Sequence, residues 1–360
     1  MIARIDRRLN RHSPEGMRAK LVRWACRTGA VWVLECLTRQ PSLTVIGYHR
    51  VGDPAESPYD PGVFDCSPEQ LNQQITYLKS RFHVVELQEA QELISRPERL
   101  RHPHVLLTFD DGYLDNYAVA VPILKSHGVQ GTFFLPTSFT GTDRLPWWDQ
   151  VAFMVRNAQT NLITLRYPRP VSIERSSDCL LAIRQILALY KAPETTDAAC
   201  FLNGVAEACG VAIPHVAVKR QLMNWREAGE LVRGGMAFGS HTHRHELLAK
   251  LPLEEQLREF GQSKQILENR LGVQIDTLAY PVGSRTSFSA ATWEALERTG
   301  YRTAFSAYGG VNVPGRIEPF DVMRVKVHRE LSLPAFRVGL AAAATVGTKS
   351  HFRKCCSERT

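Results

Sequence analysis

A (β/α) barrel of seven or eight strands, closed or incomplete, with a helical insertion, is the fold that this chain of 360 residues predicts. Three observations lead there. Short apolar runs alternate with amphipathic stretches along most of the chain, which calls for a mostly parallel sheet with helices outside. Seven or eight of those runs qualify as strands, and that number favours a barrel over an open sheet. The residues richest in chemistry, Asp110, Asp111 and a histidine cluster at 241–245, each follow directly on such a run, where barrels keep their active sites.

The elements follow in order. Residues 1–40 read as a basic N-terminal helical segment, with a helix over 17–38 whose Trp, Leu and Val interleave with Arg and Lys. That helix either packs on the main domain or lies on anionic lipid. The main domain spans 41–330. Residues 43–48 form a strand delivering His49; Ser67-Pro-Glu-Gln caps a helix running to about Phe82; a short strand near 84–85, a helix over 87–94 and the strand 105–109 follow. Beyond the two aspartates come a helix over 117–126, a stop at Gly128 and a strand over 131–135. From about 145 to 222 the alternation gives way to helical stretches, including 179–190 and 198–209, which reads as a helical insertion on a loop. The alternation resumes with helix 225–233, strand 236–239, helix 253–271, strand 275–280, helix 289–299, strand 302–306 and a last strand near 323–327. Residues 331–360 are a C-terminal helix and basic tail.

The net charge of +8 belongs to the ends: residues 1–40 carry nine Lys/Arg against three Asp/Glu, and 341–360 carry four against one. The body is neutral, which argues against nucleic acid and leaves peripheral membrane association through the basic ends. Eight cysteines show no C-x-x-C spacing and fit reduced thiols. The first thirty residues start basic but lack an uninterrupted apolar core, and no stretch approaches the ~20 apolar residues of a membrane span. The expected location is cytoplasmic or peripheral on the inner membrane.

Adjacent carboxylates such as Asp110 and Asp111 repel unless a cation or a shared proton relieves them. His241 and His245 are four residues apart, so on one helical turn both imidazoles face one ion while His243 points elsewhere. Two histidines and an aspartate leave open positions on zinc or a similar divalent ion, the pattern of a catalytic metal.

Thr108-Phe-Asp-Asp-Gly112 and His241-Thr-His-Arg-His245 resemble the first two motifs of the polysaccharide deacetylases of carbohydrate esterase family 4. The resemblance implies a deacetylase-type barrel, a divalent ion (Zn, with Co or Ni as alternatives) held by Asp111, His241 and His245, and Asp110 as general base. It further implies an oxyanion held by the metal and a backbone N–H near Tyr113. Val45-Ile-Gly-Tyr-His49-Arg-Val resembles the first segment of the circularly permuted deacetylases of exported poly-N-acetylglucosamine, which implies His49 as the catalytic acid. His328, after Met323-Arg-Val-Lys-Val, is the alternative. The third motif departs from the family, since Leu278-Ala-Tyr280-Pro281 lacks the arginine that orients the base. Arg324 is the expected substitute, and Tyr280, Pro281 and Gly283 are expected to shape the groove wall. Trp147-Trp148-Asp149 is read either as a sugar-stacking platform or as the anchor of the insertion.

The expected function is metal-dependent removal of N-acetyl groups from an amino-sugar polymer, oligomer or precursor, in exopolysaccharide or cell-envelope assembly. The alternatives are a same-fold amidase acting on a lipid-linked sugar or a small non-sugar amide, and an idle carbohydrate-binding protein at the membrane surface.

Overall fold

The computed structural model describes residues 31, 35, 40–176 and 179–346. The expected helix over 17–38 and the basic tail fall outside these, except for Val31 and Glu35, which are helical and buried. Glu35 pairs with Arg337 of the C-terminal helix Leu333–Val346 at 2.7 Å.

Twelve strands are described: β1 (Ser42–Tyr48), β2 (Arg50–Val51), β3 (Phe64–Cys66), β4 (His83–Val84), β5 (Pro103–Phe109), β6 (Thr132–Leu135), β7 (Leu162–Leu165), β8 (Val171–Glu174), β9 (Ala237–Ser240), β10 (Thr277–Ala279), β11 (Thr303–Phe305) and β12 (Arg324–Lys326). Eight form one parallel sheet in the order β11-β10-β9-β6-β5-β1-β12, with β4 beside the first half of β5. Its two edges nearly meet. Ser306 N–H donates to the Val322 carbonyl at 3.0 Å and Val322 N–H to that of Ala304 at 3.0 Å, which stitches the end of β11 to the chain entering β12. The result is a nearly closed barrel.

The strand sequences explain the closure. Parallel strands covered on both faces read as continuous apolar runs, and β1 is buried at all seven positions. Alternate residues then divide between two cores. Leu43, Val45, Leu106, Phe134, Ala279 and Phe305 fill the barrel interior, whereas Ile46, Tyr48, Leu107, Phe109 and Phe133 face the outer helices. The helices start where capping chemistry puts them. Ser67 and Gln70 form a reciprocal cap on the helix Pro68–Arg81, and Asn224 and Glu227 do the same for Trp225–Arg233.

The expected all-helical insertion needs a correction. The helices Trp147–Arg156, Leu180–Lys191 and Ala198–Cys209 are present, but β7 and β8 form an antiparallel hairpin between the first two. The alternating burial of Leu162-Ile-Thr-Leu165, exposed then buried, is the strand signal that the surrounding helical pattern hid. The insertion has its own core, built around Val151, Met154, Ile163, Ile183, Ile186 and Phe201. No disulfide forms among the described cysteines.

Candidate active site

β5 delivers Asp110 and Asp111 to the C-terminal mouth of the barrel. Asp110 extends the strand, its N–H donating to the Tyr48 carbonyl at 2.8 Å, and its side chain continues the inward alternation of Thr108. The chain then turns through two left-handed residues, Asp111 (φ 67°) and Gly112 (φ 66°). A Cβ on Gly112 would lie 2.5 Å from Leu135 Cδ2, so a larger residue in this left-handed position would have to displace the Leu135 side chain. The turn separates the two carboxylates by direction, and each finds its own partner.

Asp110 meets Arg324 of β12. The guanidinium donates to both carboxylate oxygens at 2.7 Å, and also to Thr108 Oγ1 and the Ser306 carbonyl. Both side chains are buried. Burial alone would raise the Asp110 pKa, but the Arg324 charge, with help from His241, holds it well below the usual carboxylate range.

Asp111 meets the two histidines. Its Oδ1 lies 3.4 Å from His241 Nε2 and 3.3 Å from His245 Nε2, and the two Nε2 atoms are 3.2 Å apart. His241 Nδ1 faces the Ala279 carbonyl at 2.7 Å; a carbonyl only accepts, so Nδ1 carries the proton and Nε2 presents its lone pair. Burial and the neighbouring His241 push His245 down to about 3, which leaves it neutral. Asp111 Oδ1 is buried with no hydrogen-bond partner. Three donor atoms at the corners of such a triangle match a tetrahedral ion, since ligands at ~2.0–2.1 Å stand roughly 3.3–3.4 Å apart. These residues therefore fit a divalent metal.

The means of convergence differs from the sequence expectation. Residues 241–247 are not helical. The histidines meet because Thr242 (φ 65°) and His245 (φ 55°) turn left-handed, with His245 N–H donating to Thr242 Oγ1 at 3.0 Å. His243 turns away, its Nδ1 2.9 Å from Thr137 Oγ1.

His49 follows β1 and lines the same cavity of about 340 Å³ as Asp110, Asp111 and both histidines. Its Nδ1 lies 3.0 Å from Asp65 Oδ2 on β3, and its backbone N–H donates to the same oxygen. Burial disfavours the imidazolium, but the charge and hydrogen bond of Asp65 outweigh it and raise the pKa to about 9. His328 also lines the cavity, exposed on its rim. Asp65 was not legible in the sequence, because an acid inside the short run Phe64-Asp-Cys66 carries no spacing signal.

The remaining expected residues divide. Trp148 lines the cavity with its ring centroid 4.3 Å from that of His245, while Trp147 stacks on Tyr190 at 4.0 Å and donates to the His245 carbonyl at 3.2 Å. The pair thus ties the insertion to the histidine loop. Tyr280 lines the wall, held by the Phe320 carbonyl at 2.7 Å and by stacking on Phe288. Pro281 and Gly283, expected on the wall, do not line the cavity; Val282 between them does. The oxyanion contact expected near Tyr113 is a backbone N–H, and the Tyr113 side chain takes no part in it: it is buried and accepts from Trp148 Nε1 at 2.7 Å. One expected contact needs correction. Asp149 is wholly buried and accepts the Asp60 N–H at 3.2 Å; burial pushes its pKa up to about 7.

The family model for polysaccharide deacetylases matches residues 98–172 and 182–304, more than half of the chain. YxkH of Bacillus subtilis (strain 168), named as a candidate polysaccharide deacetylase, is 22% identical over 222 residues, covering 62% of this chain. The match takes in 51% of YxkH, so the chain spans about half the length of that relative. Among solved structures, the Streptococcus pyogenes deacetylase PplD in complex with acetate superposes with a TM-score of 0.54 at 17% identity, over 85% of this chain and 99% of its own. IcaB from Ammonifex degensii does so at 0.50 and 22% identity, over 84% and 97%. At these identities the two structures establish the shared barrel. With the family model, they carry one conclusion: the chain belongs to the polysaccharide deacetylase family.

Proposed function

We propose that the chain hydrolyses N-acetyl groups from an amino-sugar polysaccharide or its precursor, releasing acetate, with one divalent ion held by Asp111, His241 and His245. The observation that carries this reading is the triangle of three ligand atoms, at 3.2 to 3.4 Å, in one cavity with a paired carboxylate and a charged histidine. The N₂O donor set suits zinc, with cobalt or nickel as alternatives. When bound, the ion supplies Lewis acidity for the acetamide carbonyl and lowers the pKa of the attacking water.

The chain's own residues do the rest. Asp110 receives the proton of the attacking water. Arg324 fixes the plane of that carboxylate and keeps it ionised, at some cost in basicity. His49, kept protonated by Asp65, delivers a proton to the amide nitrogen, without which an amine is a poor leaving group. Trp148 and Val282 narrow the cavity around the reacting group. A role in exopolysaccharide or cell-envelope assembly follows from a polymeric substrate. Among the described residues no helix is long and apolar enough to cross a membrane, and surface association would rest on the basic ends.

Purified protein supplied with zinc is expected to release acetate from N-acetylglucosamine oligomers. Protein that loads the metal and binds the oligomer without releasing acetate would mark an idle carbohydrate-binding fold instead. The acid has its own test. Asp65→Asn removes the charge that raises His49, so the His49 pKa falls from about 9 toward the ordinary imidazole value of 6.5. A group that must be protonated to act loses its effect as pH rises through its pKa, so the alkaline limb of kcat/KM moves to lower pH. An unmoved limb would take the acid role from His49 and return it to His328.

A further inference from the structure

The cavity has a basic wall that the hydrolysis does not use. On the insertion helix Leu180–Lys191, the positions Arg184, Leu187, Ala188 and Lys191 all line the cavity. Their i, i+3, i+4, i+7 spacing places them on one helical face, a small apolar patch flanked by two cations. Lys326 joins them from β12, two residues beyond Arg324 and on the same inward face.

Most charges in this cavity are already matched. Arg324 is paired with Asp110 and His49 with Asp65, and Asp111 belongs to the ligand triangle. Arg184, Lys191 and Lys326 take part in none of the ion pairs among the described residues. The one lining carboxylate left is Asp60, which is buried and accepts the Gly62 N–H at 2.7 Å; its charge is felt by Lys191 and Arg184, but it makes a direct ion pair with neither and offsets one of the three cations at most. Lys191 and Lys326 both keep solvent exposure at the cavity; partial desolvation lowers the pKa of each, and Arg324 and Lys191 lower that of Lys326 further. A surplus of positive charge therefore faces the cavity. It shares the cavity with the ligand triangle: Lys191 Nζ lies 5.9 Å from the centroid of the Trp147 ring, and the Asp111 charge acts on Lys191.

We infer that the acetamido sugar taken by this site carries a negative charge, a phosphate ester or a uronate carboxylate, which Lys191 and Lys326 bind with Arg184 at the rim. A neutral sugar would leave these cations crowded and unpaired, whereas an anion converts their mutual repulsion into charge-assisted hydrogen bonds. The inference rests on the deacetylase reading and narrows its substrate class.

The test compares acetate release from N-acetylglucosamine 6-phosphate, from a hyaluronan tetrasaccharide and from the neutral N-acetylglucosamine tetramer, at low and high salt. At least one anionic probe is expected to exceed the neutral one in kcat/KM by about tenfold or more at low salt, with the preference shrinking as salt is raised. Whichever probe leads identifies the anion. In the double variant Lys191→Met, Lys326→Met, which keeps the aliphatic stems, the anionic-to-neutral ratio is expected to collapse. Equal rates on all three probes, or an unchanged ratio in the double variant, would overturn the assignment. Calorimetric binding of N-acetylglucosamine 6-phosphate against N-acetylglucosamine separates the two readings. Charge-selective binding without acetate release upholds the basic wall and removes the deacetylase; acetate release without charge selectivity does the reverse.

Discussion

Asp110→Asn is expected to lower acetate release by roughly 10²–10⁴-fold, the usual loss when a positioned acid or base is removed, while the bound metal stays. The amide is nearly isosteric with the carboxylate and can still accept one hydrogen bond from Arg324, but it cannot take a proton from water. Because Asp111 points the other way across the left-handed turn, the ligand triangle should survive the change. Metal content and turnover of folded protein therefore separate the roles of two adjacent residues. Turnover within tenfold of wild type would remove Asp110 as the base.

Arg324→Met is expected to cost about 3–5 kcal/mol of folding stability at neutral pH, because it strands a buried carboxylate. The pH dependence carries the sign of the effect. In the wild type the depressed Asp110 pKa contributes stability that is present above the unfolded value of about 3.9 and lost as pH falls through the folded value. Without Arg324, burial is opposed only by the neighbouring His241 and His49 and raises the pKa, so Asp110 takes up a proton under mild acid and the penalty shrinks. Urea unfolding at pH 7.5 and pH 5 should show a larger deficit at the higher pH. The acid limb of the activity profile should also move up, since the base is then lost at higher pH. A deficit below about 1 kcal/mol at pH 7.5, or one that does not change with pH, would contradict the pairing as the source of Arg324's effect.

The parts of this protein legible in its sequence are those whose signal is local. Strand β5 is a run of apolar residues, buried at six of its seven positions, and the turn that follows has a glycine that cannot be replaced without striking Leu135. The histidine cluster was conspicuous by count alone, yet the reason for its convergence was not. Four-residue spacing suggests a helical turn, whereas tertiary constraints hold Thr242 and His245 in the left-handed region instead. The hairpin of β7 and β8 was obscured by helices on both sides, because eight half-buried residues carry a weaker periodic signal than three helices of ten to twelve.

The residues that tune the site were the hardest to foresee. Arg324 could be named only because the third motif lacked its arginine, and it reaches Asp110 from 214 positions away. Asp65 and the basic face of the insertion helix act across the fold, and no spacing in the chain records what a side chain will face once the barrel closes. Asp149 shows the converse. A polar residue beside two tryptophans looked fit for a sugar, but it is spent on the Asp60 backbone inside the protein.

The most direct measurement is bound metal and acetate release determined on the same samples of wild-type protein and Asp111→Ala, each stripped of metal and then resupplied with zinc. The expected result is close to one zinc per chain with restored turnover of N-acetylglucosamine oligomers in the wild type, and loss of both in the variant. A variant that loses the metal and keeps full turnover would contradict the account, because the cavity would then hydrolyse the amide without the ligand triangle on which the mechanism depends.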